Sequence, residues 1–145
     1  MRSQLFSAKA EYACRAMLEL AARHGDPQPV RLKAIADAHG IPQRFLVQIL
    51  LQLKGNGLVA STRGASGGYQ LGRAPDQISL ADIIGVIDRN ERGPARTDDV
   101  TSRTTEAIRG VWRRVQAEQQ RILEETTLAD LVQRIREHDS LVYTI

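Results

Sequence analysis

Apolar residues recur at three- and four-residue spacing along most of this chain, and the recurrence is interrupted by a few glycines and prolines. From about Ser7 to His24, Ala10, Ala13, Cys14, Met17, Leu20 and Ala21 share one face, with Lys9, Glu11, Arg15, Glu19 and Arg23 between them. That pattern predicts an amphipathic helix capped by Ser7 and closed near Gly25, where glycine tolerates the left-handed conformation. Asp26-Pro27-Gln28-Pro29 predicts a loop, and Val30-Arg31-Leu32 a very short strand. Leu32 to His39 then predicts a compact helix with Leu32, Ile35 and Ala36 inward, stopped by Gly40. Pro42 suits the first turn of the next helix, where its fixed φ and missing N–H cost nothing. There Phe45, Leu46, Ile49, Leu50 and Leu53 form the inward stripe, and Gln43, Arg44, Val47, Gln48, Leu51 and Gln52 face out.

After Asn56-Gly57 the period changes from helical to alternating. Leu58 to Thr62 and Tyr69 to Leu71 read as two strands across the tip Arg63-Gly64-Ala65-Ser66-Gly67-Gly68. Leu80 to Ile87 predicts a short helix packed beneath that hairpin. Thr105 to Glu125 predicts a long one, with Ile108, Trp112, Val115, Gln119 and Ile122 at alternating four- and three-residue steps, flanked by Val111 and Leu123. Such a seam asks for a partner helix. Thr127 caps a last amphipathic helix, expected to dock on a second subunit, and the apolar end Leu141 to Ile145 is expected to pack. The fold class is therefore mostly α with a small β-hairpin wing. Its expected parts are a winged helix-turn-helix domain over 1–87, a flexible loop over 88–104, and a dimerisation helix with a C-terminal helix over 105–145.

Composition changes this picture little, but charge does. A hydrophobic fraction of 42% with 26% charged residues is ordinary for a folded domain. No run of about 18 apolar residues and no signal-peptide core appear, so no membrane partner and a cytoplasmic location are expected. The single cysteine, Cys14, excludes an intramolecular disulfide and a C-x-x-C metal site. Residues 1–79 hold ten Lys or Arg against five Asp or Glu, whereas residues 80–145 hold ten against twelve. The basic half is the half with the hairpin, as expected if it approaches phosphates.

Two helices joined by a glycine turn, the second exposing Gln and Arg near its start, match the geometry that places a recognition helix in a major groove. A helical hairpin with polar solvent-facing residues reads the same on this segment alone; the strand pair that follows separates the two. Arg pairs bidentately with guanine O6 and N7, and Gln with adenine N6 and N7, at roughly 1–3 kcal/mol of discrimination each. Arg63, at the base of a glycine-rich tip, suits a narrow minor groove. No Lys-Ser or Lys-Thr follows the glycines and no helix continues from them, so a nucleotide-phosphate loop is a poor reading. No carboxylate pair, nucleophile–base set or metal-ligand spacing appears, so no catalytic residue, metal or cofactor is expected and the chain reads as no enzyme.

The wording and order of several segments carry a more specific signal. These are Ser7 to Ala13, Ala34-Ile35-Ala36, Ile41-Pro42, Phe45 to Leu50, Gly57-Leu58-Val59, Arg63-Gly64, Gly67 to Leu71 and Ile78 to Ile84. Together the chain resembles the Rrf-two family of bacterial transcription regulators, the IscR, NsrR and CymR type, strongly over residues 5–88 and in layout beyond. The resemblance implies a homodimer on a palindromic double-stranded DNA operator, repressor in action, with recognition helices about 34–36 Å apart. The DNA-facing set is expected to be Lys9, Gln43, Arg44, Val47, Gln48, Arg63, Gly64, Ser66, Gly67 and Tyr69. Ile108, Val111, Trp112, Val115, Gln119 and Ile122 would form the dimer seam.

Two departures qualify the resemblance. Val47 stands where the family commonly has a base-reading glutamate, which shifts the expected contact towards thymine methyl groups or a protein partner. Residues 88–101 contain neither cysteine nor histidine where cluster-binding members carry three cysteines, so an iron–sulfur cluster is not expected. The effector is left open between a small molecule and a protein. An alternative role is regulation through a winged-helix contact with an enzyme or other protein. A thiol-sensor role would need Cys14 accessible, which its position on the apolar face argues against.

Overall fold

Ser7 caps the first helix as its sequence position predicts: its hydroxyl accepts from the Ala10 amide at 3.1 Å, at the start of a helix over Ala8–Ala22 (α1). The computed structural model describes residues 6–89 and 102–144. Along α1 the buried side chains are Ala10, Ala13, Ala16, Met17, Leu20 and Ala21, so small residues let neighbouring helices approach closely. Helix α1 ends at Arg23 with φ −105°, and Gly25 does not take the expected left-handed closing role. Gly40 does: with φ 62° it terminates α2 (Leu32–His39), and its amide donates to the Ala36 carbonyl. Helix α3 (Gln43–Gly55) follows after Pro42, which sits one position outside it. The His39 ring lies 3.2 Å from Glu19, joining α2 to α1.

Strands β1 (Val59–Thr62) and β2 (Gly68–Leu71) pair antiparallel, with Val59 opposite Leu71 and Thr62 opposite Gly68. The short strand expected at Val30–Leu32 is reduced to one bridging residue, Val30, paired with Tyr69. A single 3₁₀ turn over Pro75–Gln77 leads to α4 (Leu80–Asp88), which Ser79 and Asp82 start as a reciprocal capping box. Helix α4 flanks the foot of the wing, its Ala81, Gly85 and Val86 facing a cleft shared with Leu58 and Arg73. Its buried Ile83, Ile84 and Ile87 pack it mainly against α1, α3 and the long helix α5 (Arg103–Glu125).

One core unites these pieces. Its largest fully buried members include Met17, Leu20, Ile35, Leu46, Ile49, Leu50, Leu53, Ile78, Ile83, Ile87 and Leu128, each stabilising the fold by roughly 1.5–3 kcal/mol. Phe45, expected inward, is 48% exposed, because the inward stripe of α3 runs through Leu46, Ile49, Leu50 and Leu53 only. The final helix α6 (Leu128–Thr144) returns to its own chain, packing on α1 and on the 3₁₀ turn through buried Leu128 and Val132. Backbone bonds from Leu80 to Thr126 and from Leu128 to Ile78, both 2.9 Å, fix that return. The start of α6 thus packs within its own chain, while Ile135 further along it is 48% exposed. Leu141 is 67% exposed, so its expected packing is not found in the chain, and the side chains after it lie outside the described residues. Most of the loop expected over 88–104 also lies outside them, but Asp88 closes α4 and α5 starts at Arg103, two residues earlier than expected.

Candidate nucleic-acid interface

Helix α3 presents one bare edge. Gln43, Arg44, Phe45, Val47, Gln48 and Leu51 are all exposed, while Leu46, Ile49, Leu50 and Leu53 hold the opposite side in the core. Pro42 offers no side-chain cap, so the first-turn amides of α3 retain their positive end for an anion. The Arg44 guanidinium lies over the Phe45 ring at 5.5 Å, which gives the exposed Phe45 a role: it supports the cation rather than the core.

The wing stands beside that edge, and its glycines have internal causes. A Cβ at Gly67 would lie 2.2 Å from the Thr62 carbonyl oxygen, and one at Gly68 2.5 Å from that of Val30. Gly64 takes φ 110°, open to glycine alone at low cost. The tip therefore needs glycine to close its own turn and to meet Val30, whatever it meets outside. Arg63, Gly64 and Ser66 are exposed, as the sequence reading requires of DNA-facing residues. Tyr69 is half-buried against the core, its backbone bonded to Val30, and Gly67 is partly covered. Lys9 lies half-exposed in the first turn of α1. Sequence reasoning missed Arg31, whose Nη2 donates to the Ala65 carbonyl at the wing tip. Its place in the basic first half was the one available signal.

Along α5, Ile108, Val111, Trp112, Val115 and Ile122 are between 48% and 61% exposed, and Gln119 is partly covered. Beside them Phe6, Val111, Val115, Gln119, Ile122 and Leu123 line an open, largely apolar groove of about 660 Å³.

A family profile described as "Rrf2: Iron-dependent Transcriptional regulator" matches residues 6–134. The chain belongs to the Rrf2 family. It is 39% identical over 125 residues to the HTH-type transcriptional regulator CymR of Bacillus subtilis, covering 86% of this chain and 87% of that protein. The solved structure of the B. subtilis protein, described as CymR, the global cysteine regulator, superposes with a TM-score of 0.75 at 37% identity. That match covers 92% of this chain and 98% of the other. The solved IscR of T. potens gives a TM-score of 0.78 at 35% identity, covering 95% and 90%. Rrf2 relatives are transcription regulators rather than enzymes, in line with the absence of catalytic spacing in the sequence.

The iron dependence in the family's description does not fit the residues of this Rrf2 chain. Cysteine-ligated clusters need several thiolates, and the sequence holds one cysteine. Burial first, then the charges of Asp88 and Glu11, push the Cys14 thiol up to about 12, the wrong direction for a thiolate ligand. Among the described residues, no group of three or more His, Cys, Asp or Glu is placed to hold a metal ion.

Proposed function

We propose that this Rrf2 regulator is a DNA-binding repressor that reads a palindromic operator as a homodimer without an iron–sulfur cluster. The observation that carries the reading is the exposed edge of α3, with Gln43, Arg44 and Gln48 next to a wing that presents Arg63. Bidentate donors on a helix and an arginine on a hairpin serve two different grooves of one duplex. The bare apolar face of α5 supports the homodimer, since two copies would give each seam the partner helix it lacks. Fluorescence anisotropy with the DNA upstream of the protein's own gene tests the reading, with a scrambled duplex as control. Sequence-specific binding that Arg44→Ala weakens by about tenfold or more is expected. Equal affinity for both duplexes, lost steeply as salt rises, would overturn it.

A second reading has its own support. Phe45 at 48% and Leu51 at 61% exposure leave apolar surface on the edge of α3, which also suits a protein partner. Leu51→Ser separates the two. A DNA-facing Leu51 predicts weaker operator binding, whereas a protein-facing one leaves the DNA isotherm unchanged.

A further inference from the structure

A wing that samples many positions must be ordered when DNA arrives, and that ordering weakens binding. In this chain the segment before α2 is laced along the wing. Gln70 donates through Nε2 to the Pro27 carbonyl at 3.2 Å, and Val30 and Tyr69 exchange two backbone bonds of 2.9 and 2.8 Å. Gly68 permits the approach, because any side chain there would strike the Val30 carbonyl. This lacing stops at the base of the tip. Beyond it, residues 63–67 hold one internal turn bond, from the Gly67 amide to the Gly64 carbonyl at 3.0 Å. Among the described residues, the tip's one hydrogen bond to anything outside the hairpin is the one from Arg31 to the Ala65 carbonyl.

Arg31 is well placed for such a task. It is the residue that opens α2, with extended φ −72° and ψ 146°, and its side chain makes no cap to that helix. Helix α2 leads directly into α3 through the fixed Gly40 turn, so a group anchored at Arg31 is anchored to the frame that carries the reading edge. Among the described residues no carboxylate forms an ion pair with Arg31 to draw the guanidinium elsewhere. Its planar fork donates to a carbonyl with a charge-assisted bond that a neutral donor does not match.

We infer that Arg31 is a positioning residue that clasps the wing tip to the helix-turn-helix frame, so that Arg63 meets DNA from a fixed place beside α3. This rests on the DNA-binding reading above for its consequence, though not for the clasp itself. The two parts are measured separately on the full chain.

Hydrogen exchange without DNA reads the clasp. In Arg31→Ala the Gly67 amide, which the turn bond to Gly64 protects, should exchange several-fold faster while the amides of α1 and α3 keep their wild-type rates. Unchanged exchange at the tip would overturn the inference. Operator binding by Arg31→Ala, Arg63→Ala and the double variant reads the consequence. Loss of Arg31 should weaken binding by about tenfold or more, the worth of one charge-assisted bond, and the double variant should bind within about twofold of Arg63→Ala. If Arg31 instead touches a phosphate itself, the two losses multiply and the slope of log affinity against log salt falls by about 0.9, which overturns the positioning role. Faster tip exchange in a protein that shows no specific DNA binding would leave the clasp standing and remove the regulator reading.

Discussion

Residues 6–89 and helix α5 use the same apolar periodicity to opposite ends. In the first region the stripes of α1, α2, α3 and α4 converge, and Met17, Ile35, Leu46, Leu50 and Ile83 are fully buried. In α5 the stripe is as regular, yet Leu123 near its C-terminal end is its one buried side chain among the described residues. Trp112, at 61% exposure, is the extreme case. Periodicity thus predicts that a face will be buried, while the reach of the neighbouring elements decides whether the chain can bury it alone. A helix of 23 residues extends about 34 Å at ~1.5 Å per residue, longer than the nine-residue α4 beside it can cover. The first region buries its stripes within the chain, whereas most of the apolar face of α5 stays exposed.

The sharpest way to break this contrast is to put charge on the α5 face. Trp112→Asp combined with Val115→Asp should leave the helical circular dichroism of the whole chain unchanged and convert the protein to a monomer by sedimentation. Operator affinity should fall by about a hundredfold or more, because each half-site then binds alone. A double variant that still sediments as a dimer would mean that the exposed seam is not where the copies meet.

Truncations in the two regions should differ next. Leu50→Ala removes a fully buried side chain and is expected to destabilise the fold by about 2–5 kcal/mol in urea melts, whatever the protein concentration. Val115→Ala, on a surface already 54% exposed, should change monomer stability by less than about 0.5 kcal/mol while raising the dimer dissociation constant. Equal, concentration-independent losses would erase the distinction. Within the first region, Gly68→Ala probes a contact rather than a cavity. The Val30 carbonyl must give way, so a loss of about 1–3 kcal/mol with a loosened wing is expected.

Sequence alone carried the elements whose cause is local. Ser7 as a cap, Gly40 as a helix stop, and the strands read at Leu58–Thr62 and Tyr69–Leu71, observed at Val59–Thr62 and Gly68–Leu71, all follow from residue chemistry within a few positions. What it missed depends on distant neighbours. Phe45 fits the helical phase of α3 but lies in its first turn, where Arg44 rather than the core meets its ring. Helix α6 carries a stripe that does not say which α1 it will cover, and the structure pairs it with its own. Gly67 and Gly68 read as part of the glycine-rich tip, Gly67 facing DNA, whereas carbonyls of Thr62 and Val30 already require them. Of the interface, Arg44, Gln48 and Arg63 were legible as exposed polar positions. Arg31 was not, because 34 residues separate it from the carbonyl it holds.

A pH-dependent effect of about 1 kcal/mol concerns the partly buried Cys14, on the apolar face of α1. Its thiol is pushed from an ordinary value of 9.0 to about 12, by burial more than by Asp88 and Glu11. Above pH 9 the unfolded chain releases this proton while the folded chain keeps it, so the unfolded state gains and stability falls as pH rises from about 9 towards 12. Below pH 9 both states hold the proton and the term is fully present. Urea melts at pH 8 and pH 10 should therefore show a drop about 1 kcal/mol larger in the wild type than in Cys14→Ala. Equal drops in both proteins, with rapid alkylation of the thiol at pH 8, would show that the half-buried Cys14 side is open to water and that its burial does not hold the proton.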